Sequence, residues 1–93
     1  LIDTLKVFDL PPDQAIEREL ALIKVHANEK TRQEVTQIAD VCQAKVVDVS
    51  ENSLTLEVSA ETEKVNNLQK MLGKFGIQEM VRTGKIALLK GGE

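Results

Sequence analysis

Few side chains in this sequence could do covalent or acid–base chemistry at neutral pH, and they are scattered. His26 is the only histidine and Cys42 the only cysteine among 93 residues. A catalytic triad or a zinc site needs an imidazole with partners at set spacings, and no CxxC, HExxH or serine-elbow pattern is present. His26 therefore reads as a surface or interface residue at a strand end. Cys42 falls on the apolar stripe of a predicted helix, where a thiol packs as a small hydrophobe. As a nucleophile it would need exposure and a nearby base. The acids Glu17, Glu19, Glu29, Glu34, Glu61 and Glu63 could supply a carboxylate pair. Acid–base catalysis requires a perturbed carboxylate in a cleft, and most of these fall on predicted turns or outer helix faces. The run RTGK, Arg82 to Lys85, sets two cations around a glycine, as an anion site might require. It lacks the longer glycine-rich run of a phosphate loop. It reads as a turn after the last strand, with contact to a partner protein as the functional alternative.

The elements that would position these residues follow from apolar spacing. RELALIKVHA, Arg18 to Ala27, has Ala21, Ile23 and Val25 on one parity and Leu20 and Leu22 on the other, which predicts a strand. Asn28 is a candidate helix cap, and Val35, Ile38, Ala39 and Cys42 then recur at i, i+3, i+4 and i+7, one buried helical face. AKVVDVS, Ala44 to Ser50, is a short strand, and Glu51 to Ser53 has turn composition. SLTLEVSA alternates, with Leu54, Leu56, Val58 and Ala60 inward. The pair reads as a hairpin. A second helix is predicted over roughly Glu61 to Lys74, capped by Ser59 or Thr62 and ended by Gly73 or Gly76. Val65, Leu68, Leu72 and Phe75 form its stripe, with Met71 beside it. GIQEMVRTG is the last strand, and KIALLKGGE trails as a candidate extra strand.

This order, strand, helix, strand, strand, helix, strand, is that of an α+β, ferredoxin-like βαββαβ fold: a four-stranded antiparallel sheet with two helices on one face. The opening LIDTLKVFDL is one strand too many, and Pro11 and Pro12 break the pattern after it. The expected division is a strand of a preceding domain over 1–10, a linker over 11–16 and the ferredoxin-like domain over 17–93.

Bulk properties narrow the function classes. The 42% hydrophobic and 29% charged content suits one small globular domain. Phe8 and Phe75 are the only aromatics, too few for stacking single-stranded nucleic acid. The net charge of −3, without a block of like charges, disfavours nonspecific DNA binding. A lone cysteine suits a reducing compartment, and no apolar run reaches the ~18–20 residues that span a bilayer. No nucleic acid and no membrane are expected as partners.

The open sheet face carries the main clue. Clean alternation would make it polar, and Leu54 to Ala60 obeys. Leu20 and Leu22 do not, Val46 lies opposite Val47, and Met80 opposite Val81. Several apolar side chains in water invite association. Leu20, Leu22, Val46 and Met80 are accordingly expected to form a homodimer interface through the open face.

ERELALIKV, AKVVDVSENSLTLEVSA, EKVNNLQKMLGKFGI and VRTGKIAL, in that order, resemble the C-terminal domain of the small, regulatory subunit of acetohydroxyacid (acetolactate) synthase. LIDTLKVFDL resembles the last strand of that subunit's N-terminal ACT domain. The resemblance implies a non-catalytic subunit. Its partner, the large catalytic subunit, would carry thiamine diphosphate, magnesium and FAD, and would condense pyruvate with a second 2-keto acid. The small subunit would raise that activity and confer feedback inhibition, typically by valine. The family binds effector mainly where ACT domains meet, so no effector-binding residue is assigned here. A bacterial cytoplasmic location is expected, or a plastid if the source is a plant. The alternative is a free-standing, ACT-like domain that binds a small molecule at its own dimer interface.

Overall fold

The computed structural model describes residues 15–91. The expected strand over 1–10 lies outside the described residues. Five strands, β1 (Ala15–His26), β2 (Lys45–Val49), β3 (Ser53–Ala60), β4 (Ile77–Arg82) and β5 (Ile86–Leu89), accompany two helices, α1 (Arg32–Val41) and α2 (Thr62–Gly73). The first four strands form an antiparallel sheet in the order β2-β3-β1-β4, and β5 pairs with β1. The ferredoxin-like plan is thus present, with a fifth strand added by the KIALL segment.

The helices lie over one sheet face because three sets of apolar side chains meet there. Ile23, Val25, Leu54, Leu56, Val35, Val65, Leu68 and Leu72 are buried in a single core. With only two phenylalanines in the chain, aliphatic side chains fill it.

Asn28 is not the cap of the first helix but closes the turn that precedes it. Its Oδ1 accepts from the Lys30 and Thr31 amides at 2.9 and 3.0 Å, and the Thr31 hydroxyl accepts from the Asn28 amide at 3.1 Å. This closed turn hands the chain to α1, whose formal cap is Thr31. At the other end Gln43 takes a positive φ of 59°. The Ala44 amide bonds Ala39 O and the Gln43 amide bonds Asp40 O, satisfying two terminal carbonyls. The cap of α2 is Glu61, rather than Ser59 or Thr62. Gly76, at φ 99°, turns the chain after α2, and its carbonyl accepts from the His26 amide at 2.8 Å.

Two irregularities decide which side chains face the core. In β2 the register shifts between Val46 and Asp48, so Val46 and not Val47 stands opposite Leu56. In β1–β4 a shift between Lys24 and Val25 brings Ile77 opposite Val25 and Met80 opposite Ile23. Ile77 and Met80, of opposite parity in the sequence, therefore both pack on the core.

Candidate interaction surface

Of the four residues expected at the open face, the structure places two there. One row across the sheet reads Val46, Leu56, Ile23, Met80, and this is the row beneath the helices. The assignment of Val46 and Met80 to an exposed interface is corrected: both are partly buried against the core. Their neighbours are the exposed ones, Val47 at 45% and Val81 at 64%. Leu20 and Leu22 are exposed as expected, at 37% and 42%. The next row over, Lys45, Glu57, Leu22 and Val81, is solvent-facing.

The residues with chemical potential are not brought together. His26 is exposed at the end of β1, and Cys42 sits half-buried after α1. Burial pushes the Cys42 thiol up from its ordinary value. Among the described residues, no group of three or more His, Cys, Asp or Glu side chains could hold a metal ion. A surface hollow near the α1 start has Asn28, Lys30, Arg32, Ser50 and Glu51 in its walls. Arg32 uses it to tie two loops, its Nη2 donating to Ser50 O at 3.3 Å and Glu51 O at 3.0 Å.

RTGK is not an open anion site, because both of its cations are engaged. Lys85 pairs with Glu17 at 3.5 Å. Arg82 grips both carboxylate oxygens of Glu19, Nε donating to Oε2 at 2.8 Å and Nη2 donating to Oε1. Its Nη1 donates to Asn66 Oδ1 at 2.7 Å and Gln69 Oε1 at 3.3 Å on α2. One guanidinium so fastens β4 to both β1 and α2. Glu19 is buried, and the Arg82 hydrogen bonds hold its carboxyl below the ordinary value against the opposing cost of burial. The Thr62 hydroxyl, buried beside it, adds to the effect without closing a hydrogen bond of ordinary geometry. The same pairing raises the Arg82 guanidinium further. Sequence spacing did carry a signal for this pair. Glu19 shares parity with Ala21, Ile23 and Val25, so a strand that buries those three must bury a carboxylate, and that carboxylate needs a partner.

The glycine of the motif serves geometry. Gly84 has φ 85°, and around it the chain leaves β4 and resumes antiparallel to β1 as β5. The Thr83 amide bonds Leu20 O at 2.9 Å, and the Leu20 amide bonds Thr83 Oγ1 at 3.1 Å, bridging the gap. Four pairs follow, Arg18 with Ile86, Glu17 with Ala87, Ile16 with Leu88, and Ala15 with Leu89. Exposed apolar residues missed by the sequence reading lie here: Ile16 at 48%, Ile86 at 66% and Leu88 at 65%. Ile16 has the parity of Leu20 and Leu22, which was the available signal.

Among the described residues the main surface feature is therefore a sheet face that exposes Leu20, Leu22 and Val81 among charged and polar neighbours. Among the described residues no helix is long and apolar enough to cross a membrane. Comparison with known proteins places the arrangement. A sequence model described as the small subunit of acetolactate synthase matches residues 18–91. The chain is 50% identical over 88 residues to acetolactate synthase small subunit 1, chloroplastic, of Nicotiana plumbaginifolia, covering 95% of this chain and 20% of that one. It is 49% identical over 89 residues to the acetolactate synthase small subunit of Aquifex aeolicus, covering 95% of this chain and 46% of the relative. The chain thus spans less than half the length of either relative. The crystal structure of the Thermotoga maritima acetolactate synthase small subunit superposes with a TM-score of 0.79 at 32% identity, over 85% of this chain and 48% of that one. By sequence and by fold, the chain belongs to the family of acetolactate synthase small subunits.

Proposed function

We propose that this chain is part of a non-catalytic, regulatory subunit that binds the catalytic subunit of acetolactate synthase, raises its activity and helps make it sensitive to valine. The observation that carries the reading is the family match through residues 18–91, which takes in every described strand but the first three residues of β1. The exposed Leu20, Leu22 and Val81 support a domain built to associate. On this reading two copies pair through the open sheet face. An effector held elsewhere in the whole subunit acts by biasing how that pair is arranged, with the ~1–3 kcal/mol of coupling usual between linked sites.

The test is synthase activity of the purified catalytic subunit, alone and with the whole small subunit, with and without valine. Stimulation that valine reverses is the expected result, and unchanged activity would overturn the reading. Calorimetry of this chain alone with valine, leucine and isoleucine should give no heat of binding. Tight binding there would favour the free-standing ligand-binding domain instead.

A further inference from the structure

We draw no further inference here: the strongest candidate, the surface hollow between the β1–α1 loop and the β2–β3 turn, carries nothing, because Arg32 spends its Nη2 on the carbonyls of Ser50 and Glu51 and its unpartnered Nε is buried where a ligand in the hollow cannot reach it, which leaves a helix N-terminus with no second feature that points to an occupant.

Discussion

Arg82 reaches diagonally across the β1–β4 pairing to hold both oxygens of Glu19, a carboxylate only 4% exposed. Glu19→Gln leaves the Arg82 Nε and Nη2 without their charged partner, with only Nη1 still held by Asn66 and Gln69, so it should cost about 2–3 kcal/mol at neutral pH. The pH dependence has a definite sign. Because the folded carboxyl is held below its ordinary value, its contribution is full above the unfolded value of about 4.3. It fades as pH falls through the lower, folded value. Urea unfolding of wild type and Glu19→Gln should therefore differ most at pH 7 and converge in acid. A gap that widens on acidification would contradict the assignment. The double variant Glu19→Met, Arg82→Leu should lose less than the two single changes summed, since no charge is stranded.

The two faces of the sheet make opposite predictions for residues that are neighbours in sequence. Val46→Ala and Met80→Ala remove side chains packed on the core, and should each lower stability by about 1–3 kcal/mol. Their effect on self-association should be small. Leu20→Glu combined with Leu22→Glu alters exposed positions, so the folded monomer should lose little, about 1 kcal/mol or less. In the proposed dimer the same pair abolishes association. Denaturant midpoints and sedimentation, measured on both sets, separate the roles.

Why was the first face legible in the sequence and the second only half so? In β3, hydrophobic and polar residues alternate strictly, and Leu54, Leu56 and Val58 are buried as the alternation requires. In β2 and β4 apolar residues occupy both parities, so the sequence leaves the choice of face to the pairing register. Each strand carries an irregularity that resets that register, after Val46 and beside Lys24/Val25. A bulge has no hydrophobic signature of its own. β5 was visible as an apolar segment but not its partner, since the strand was read from Arg18 with 11–16 as a linker, whereas Ala15 and Ile16 already belong to β1 and pair with Leu89 and Leu88. The helix faces were legible throughout: Val35, Ala39, Val65, Leu68 and Leu72 are all buried at their predicted spacing.

Cys42 should behave as a packed side chain and not as a reactive thiol. It contacts the core from the end of α1, and burial raises its ionisation above the ordinary value. Less thiolate is then present at neutral pH, and the thiolate is the reacting species. Alkylation by iodoacetamide should be slower in the native chain than in the same chain in urea, at the same pH. Equal rates would show that the thiol is open to solvent in the folded state.

Gln43 and Gly76 occupy the same left-handed region after the two helices, one with a side chain and one without. A β-carbon in that region costs about 1–2 kcal/mol, which Gln43 bears and Gly76 avoids. Gln43→Gly relieves that strain but adds freedom to the unfolded chain, worth about 0.5–1 kcal/mol against it. The net gain should be about 0.5–1 kcal/mol. Gly76→Ala should cost about 1–2 kcal/mol. Space is not the cause, since a β-carbon there would rest 3.7 Å from the His26 Cβ, an ordinary contact. The cost comes from the backbone, and moving the backbone to relieve it would disturb the His26 amide bond to Gly76 O. Thermal unfolding of the two variants should therefore shift in opposite directions from wild type. A stabilised Gly76→Ala would mean that this turn relaxes to negative φ without breaking the link to β1.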